Sequence, residues 1–104
     1  MMHKKFDTLQ ISKIIDQALV YQCACPAQVC RAIFELRELH DYQMACINDP
    51  ETDDLVHTTI AKTAEETHAW MEVCLTEILK IEGWDLSTLT MPDALRKKPF
   101  KALA

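Results

Sequence analysis

The chain has 104 residues and a formal net charge of −5, and 49% of its residues are hydrophobic and 26% charged. This length suits a single globular domain that buries its core without disulfide or metal support. The acidic balance argues against nucleic acid as a partner, because phosphate binding needs a basic face, and no apolar run approaches the roughly 20 residues of a membrane span.

The N-terminal stretch and the number of cysteines together indicate a protein of a reducing compartment. Charged and polar side chains interrupt the stretch that follows Lys4 and Lys5, so this stretch does not resemble the apolar part of an export signal. We therefore expect a cytoplasmic protein, in which thiols stay reduced. The five cysteines are an odd number, which fits a closed set of disulfides badly. They are expected to be thiols or metal ligands.

The first predicted helix begins after Asp7. Gln10 lies three residues later, which is the spacing of a capping box, and Phe6 and Ile11 occupy the two positions of a hydrophobic staple. The helix is predicted over about residues 8–22, because Pro26 requires an extended residue before it.

The second helix is predicted over about residues 26–48, with Pro26 at its first position. Its apolar positions recur three and four residues apart, as on one face of a helix. The stripe consists of Val29, Ala32, Ile33, Leu36 and Leu39, followed by the polar Gln43 and then by Cys46 and Ile47.

The third helix is predicted over about residues 50–82, with Asp49 as its cap and Gly83 as its end. Its apolar stripe consists of Val56, Ile60, Ala64, Met71, Leu75, Ile78 and Leu79. From residue 55 onward this helix is roughly 40 Å long, far longer than the first helix. Part of the stripe therefore has no partner within the chain, and we predict a two-fold homodimer. Trp70 is in phase with Val56 and Ile60, which suits the core or that interface.

Beyond Gly83 the apolar residues show no long period. A short helix is predicted over about residues 91–98, within a strap that packs on the other helices. The fold class is thus predicted to be all-α: an antiparallel three-helix bundle with a C-terminal short helix or strap, completed by dimerisation. The whole chain, residues 1–104, forms one helical domain in this prediction.

A Glu-x-x-His motif suggests a carboxylate–histidine metal site. Glu65 and His68 form the motif, and Glu72 lies one turn further on the same face. In an antiparallel hairpin that turns near residue 50, Glu35 lies level with Glu65. Di-iron carboxylate proteins use such a motif with a lone Glu from a facing helix. One chain supplies half of such a site, so an iron site requires the dimer.

Cysteines suggest a second kind of metal site. Cys23, Cys25 and Cys30 surround the start of the second helix, and Cys74 lies level with them on the third. Four thiolates can hold zinc, although this spacing is not that of the common zinc knuckles. A thiol redox sensor and simple packing in the helix interface are the alternatives. His40, His57 and Cys46 form a weaker candidate for a mixed site.

No complete catalytic motif is present, and the single glycine excludes a glycine-rich phosphate loop. We therefore favour a non-enzymatic helical protein that self-associates and binds a protein partner. The alternatives are an iron-binding protein that uses Glu35, Glu65, His68 and Glu72, and a zinc or thiol-sensor protein that uses the cysteine cluster.

Overall fold

A computed structural model of the chain describes residues 2–19, 25–51 and 53–96. Four helices occupy these residues: α1 is Thr8–Ala18, α2 is Cys25–Ile47, α3 is Asp54–Glu82 and α4 is Asp93–Arg96. The described residues contain no β-strand, only an isolated antiparallel bridge between Asp85 and Thr90. The prediction of an all-α fold is confirmed.

The predicted start of α1 is confirmed in detail. The Asp7 carboxylate accepts a hydrogen bond from the Gln10 N–H at 2.8 Å, and the Gln10 side-chain oxygen accepts one from the Asp7 N–H at 2.9 Å. Phe6 and Ile11 are both buried in the core. The helix ends at Ala18, earlier than the predicted residue 22. Residues 20–22 of that prediction lie outside the described residues.

The start of α3 differs from the prediction. The Asp49 carboxylate accepts a hydrogen bond from the Glu51 N–H at 3.0 Å, so it stabilises a turn rather than a helix start. Asp53 is the cap instead, and its carboxylate accepts a hydrogen bond from the Leu55 N–H at 3.1 Å. The helix therefore begins at Asp54 and not at Pro50. Asp49 and Asp53 are both suitable caps, and in the structure Asp49 stabilises the turn while Asp53 caps the helix.

α2 packs against both α1 and α3. α2 and α3 run antiparallel, since their hydrogen-bonded side chains pair in opposite sequence order: Gln43 with His57, His40 with Glu65, and Arg37 with His68. The predicted pairing holds near the loop. Further from the loop the pairing is displaced along α3 by more than one turn, as the His40–Glu65 and Arg37–His68 pairs show.

The hydrophobic core lies between α1, the first part of α2, the last part of α3 and the segment after α3. Its buried members include Ile14, Cys30, Ile33, Leu75, Leu79, Trp84, Leu89 and Met91. Gly83 ends α3 in the left-handed conformation with φ +80°, and the Trp84 N–H then bonds the Leu79 carbonyl at 3.0 Å. This turn directs the following segment back onto the core.

The predicted strap packs on the core through the buried residues of the segment that follows α3. The Met91 N–H also donates to the Gln17 side-chain oxygen at 3.2 Å, which ties the strap to α1. α4 is shorter than the predicted helix over residues 91–98, whose last two residues lie outside the described part. None of the helices in the described ranges is long and apolar enough to cross a membrane.

Candidate functional site

Three charged or polar side chains meet in the interface between α2 and α3. The Arg37 Nε–H donates to His68 Nε2 at 3.0 Å, and Arg37 Nη2 lies 3.5 Å from Glu72 Oε2. The exposed fractions of Arg37, His68 and Glu72 are only 5%, 0% and 4%. Buried charges are normally paired in this way, because an isolated ion loses its hydration without compensation. We refer to these three residues as the buried polar cluster.

The cluster also holds the segment that leads into α1. Glu72 Oε2 accepts hydrogen bonds from the Lys5 N–H at 2.8 Å and from the Phe6 N–H at 3.0 Å. Arg37 Nη2 donates to the Phe6 carbonyl oxygen. A carboxylate on α3 and a guanidinium on α2 thus fix both sides of the Phe6 backbone, and they position the start of α1 against the other two helices.

His68 is a neutral member of the cluster. Burial lowers the pKa of His68, the Glu72 carboxylate opposes this effect, and the Arg37 charge adds to it. Nε2 accepts the bond from Arg37, so the ring proton resides on Nδ1. That atom lies 3.7 Å from Glu72 Oε1. His68 Nδ1 and Arg37 Nη1 are buried without a hydrogen-bond partner among the described residues.

Two further polar pairs continue this line toward the loop. His40 Nε2 lies 2.9 Å from Glu65 Oε2, and this hydrogen bond lowers the pKa of Glu65. His57 Nδ1 lies 2.6 Å from the Gln43 side-chain oxygen. Since each pair joins α2 to α3 at one height, the pairs select a single register of the two helices.

The predicted iron ligands occupy different environments. Glu35 is exposed on α2, Glu65 bonds His40, and His68 and Glu72 face the Arg37 cation. A guanidinium at hydrogen-bond distance from His68 opposes the binding of a metal cation at the same nitrogen. In the described part of the chain, no three His, Cys, Asp or Glu side chains are grouped to hold a metal ion. An iron site shared between two chains stays a prediction.

The predicted cysteine ligands do not converge within the described residues. Cys30 is buried in the core, Cys25 and Cys74 are exposed, and Cys23 lies outside the described part. Burial raises the pKa of Cys30 to about 12, while the Arg37 charge lowers it. Cys30 is therefore a protonated thiol at neutral pH, and the zinc or thiol-sensor site stays a prediction. The mixed site is not formed either, since His40 and His57 bond Glu65 and Gln43.

The outer face of α3 is the second notable feature. It consists of positions that alternate four and three residues apart: Val56, Ile60, Thr63, Thr67, Trp70, Cys74, Glu77 and Ile81. Trp70 is 73% exposed, Ile81 81% and Val56 51%. These positions lie opposite the face that α2 covers. We refer to these eight residues as the outer face.

The threonines of the outer face add to its apolar character. The Thr63 hydroxyl donates to the Thr59 carbonyl at 2.9 Å, and the Thr67 hydroxyl donates to the Thr63 carbonyl at 2.8 Å. Both hydroxyl groups donate within the helix, so burial of these side chains in an interface would leave no hydrogen-bond donor without an acceptor. From Val56 to Cys74 the outer face therefore carries no charge and no unsatisfied hydroxyl donor.

Arg37, the α2 member of the buried polar cluster, was not among the residues predicted to be buried. Leu39 was expected to be buried and is 41% exposed, while Arg37 and His40 take the buried positions. The available signal is the spacing of Cys30, Ile33, Arg37 and His40, which is that of one helix face. A pattern search restricted to apolar residues passes over it.

Comparison with known proteins gives no match: no protein-family model, no curated protein and no solved structure resembles this chain.

Proposed function

We propose that this protein is a non-enzymatic three-helix bundle that self-associates through the outer face of α3. The observation that carries the proposal is Trp70, whose side chain is 73% exposed in the middle of a line of apolar and methyl-bearing side chains. Contiguous apolar surface of this kind is uncommon on monomers and marks interaction sites. Tryptophan is also the side chain most often found at the energetic centre of an interface.

The length of α3 supports the same proposal. A helix of 29 residues extends over roughly 40 Å, and only one of its faces packs on α2. A long helix with an apolar stripe in water gains stability when another helix covers that stripe. A second copy of the chain supplies such a helix, because it carries the same apolar stripe. Two-fold dimers are also the commonest oligomers.

The non-enzymatic part of the proposal is supported by the bonds of the buried polar cluster. Glu72 is the most buried carboxylate in a position to act as an acid or base, and its Oε2 already accepts two backbone N–H groups and faces Arg37. His68 is fully buried and accepts from Arg37. Polar groups that bind one another and the backbone inside a helix interface are typical of side chains that stabilise a fold.

The proposal is tested by Trp70→Glu, which places a charge at the centre of the outer face. The matched control is Tyr42→Glu, because Tyr42 is an aromatic residue that is 66% exposed on α2. The mass in solution is measured by light scattering on a sizing column up to about 100 µM, which detects dissociation constants in the micromolar range. Circular dichroism confirms that each variant is helical.

The wild type and Tyr42→Glu are expected to show twice the chain mass of 11.9 kDa, and Trp70→Glu to show a single chain. A wild-type protein that stays monomeric at the highest concentration contradicts the proposal. A folded Trp70→Glu variant that dimerises as strongly as the wild type places the interface elsewhere and also contradicts it.

A further inference from the structure

The charges beside the outer face indicate how two copies are oriented. We propose that two α3 helices pair antiparallel around a two-fold axis near residue 72, with Glu66 of each chain opposite Lys80 of the second copy. This inference rests on the proposed self-association and adds the identity of the partner helix and its direction.

The spacing of the outer face supports a helix–helix seam. Its positions alternate four and three residues apart, which is the heptad spacing of helices that coil around each other. A strict repeat of seven keeps the stripe on one side of the helix along its length. With the two-fold axis near residue 72, the paired part of the seam is residues 63–81 of each copy, which is between two and three such repeats. Val56 and Ile60 extend past the end of α3 of the second copy.

The two flanks of the seam differ in charge. Glu66, Val73 and Lys80 follow one another at intervals of seven on one flank, and Met71 and Ile78 lie on the other. In a parallel pair each flank meets the opposite flank of its partner, so Glu66 faces the apolar Met71 and no Glu66–Lys80 pair forms. In an antiparallel pair each flank meets its own equivalent. The charged flanks then face each other and the apolar flanks do the same.

The antiparallel register that joins Glu66 to Lys80 also arranges the centre favourably. It places Trp70 of each chain against Cys74 of the second copy, and it brings Val73 and Met71 close to their own symmetry mates. Apolar side chains thus occupy the middle of the contact. Glu77 lies opposite Thr67 further out along the seam, and the two Glu66–Lys80 pairs lie at the rim. A buried aromatic centre with a charged rim is the usual anatomy of a protein interface.

Glu66 and Lys80 are available for this pairing. Both side chains are exposed, and neither makes an ion pair within the described part of the chain. Because of the two-fold symmetry, each change to one residue alters two contacts at once. Rim charges contribute modestly to affinity and more to the choice of orientation, so a charge reversal should weaken the dimer without abolishing the fold.

The test compares Glu66→Lys, Lys80→Glu and the double variant by sedimentation equilibrium of the full chain. Each single variant creates two like-charge contacts and should weaken dimerisation about tenfold. The double variant restores both pairs with reversed signs and should dimerise within about threefold of the wild type. Lys62→Glu is the matched control, because it makes the same charge change as Lys80→Glu at an exposed position of α3 away from the seam.

The outcomes separate this inference from the proposed function. A wild-type dimer whose affinity is unchanged in both single variants overturns the antiparallel register and leaves self-association in place. The same holds if the single variants weaken the dimer and the double variant fails to recover it. A wild-type monomer overturns both.

Discussion

The two faces of α3 each depart from the usual distribution of polar and apolar side chains. The inner face buries His68 and Glu72, with 0% and 4% of their surface exposed, while the outer face leaves Trp70 and Ile81 at 73% and 81%. The inner polar groups are tolerated because Arg37 and the backbone of residues 5–6 bind them. The outer apolar groups lack an equivalent neighbour in the described chain. Burial on α3 therefore depends on what the other elements supply as well as on side-chain polarity.

Among substitutions on the inner face, Glu72→Ala is expected to reduce the free energy of unfolding most. The substitution leaves Arg37 as an uncompensated buried charge and removes the acceptor for two backbone N–H groups, so we expect a loss of about 3–5 kcal/mol in the free energy of unfolding. Urea unfolding at low protein concentration measures this value. The control Glu38→Ala changes an exposed carboxylate on α2 and should alter stability by less than about 0.5 kcal/mol. Equal effects of the two substitutions would show that the cluster does not hold the fold.

A pair of apolar substitutions on α3 compares its two faces directly. Leu75 is fully buried, and Leu75→Ala should cost about 2–5 kcal/mol through lost burial and the cavity that remains. Ile81 is 81% exposed, and Ile81→Ala should change monomer stability by less than about 0.5 kcal/mol. Urea unfolding at two protein concentrations is the measurement, since Ile81→Ala should lose stability only where the wild type is dimeric. If Ile81→Ala greatly reduced the free energy of unfolding at the lower protein concentration, the exposed position of Ile81 in the monomer would be contradicted.

The pH dependence of stability tests the buried histidine. Burial holds the pKa of His68 below its usual value of 6.5, so the unfolded chain takes up this proton before the folded chain does. Stability is then full above pH 6.5 and falls as the pH decreases, by up to about 1.4 kcal/mol per pH unit. Urea unfolding between about pH 7 and 5.5 measures the slope. His68→Gln, which keeps an acceptor for Arg37, should reduce it, and an unchanged slope would assign the effect to other groups.

Thiol reactivity gives the smallest of the expected effects. Cys30 is buried with a pKa raised to about 12, so iodoacetamide should modify it only after unfolding. Cys74 is exposed and should react in the native protein, more slowly at concentrations where the dimer covers the outer face. Peptide mass spectrometry after timed labelling distinguishes the two. Trp70→Glu is the control, and its Cys74 should react at the same rate at every concentration.

Local signals in the sequence were sufficient for several element boundaries. The Asp7–Gln10 spacing predicted the start of α1, and Gly83 predicted the end of α3, because each depends on contacts within a few residues. The start of α3 was misplaced because Asp49 and Asp53 are both suitable caps, and only the path of the loop selects between them. Such choices depend on tertiary structure and are not encoded in a short window.

The buried polar cluster could not be predicted in the same way. Arg37 lies at a buried position because Glu72, His68 and the Phe6 backbone all bind it. Those partners come from two other segments of the chain, so their convergence is a property of the packed helices. The exposed outer face was predicted only in part: Trp70 was placed in phase with Val56 and Ile60, but both of these residues were counted in the core stripe.

The most direct measurement is the fluorescence of Trp70 as a function of protein concentration. The chain has two tryptophans, and Trp84→Phe leaves Trp70 as the only one. If a second copy covers the outer face of α3, its emission maximum should move to shorter wavelength as the concentration rises and the ring leaves water. Emission that stays at the wavelength of a hydrated indole across the whole range, in a variant that is folded by circular dichroism, would contradict self-association through this face.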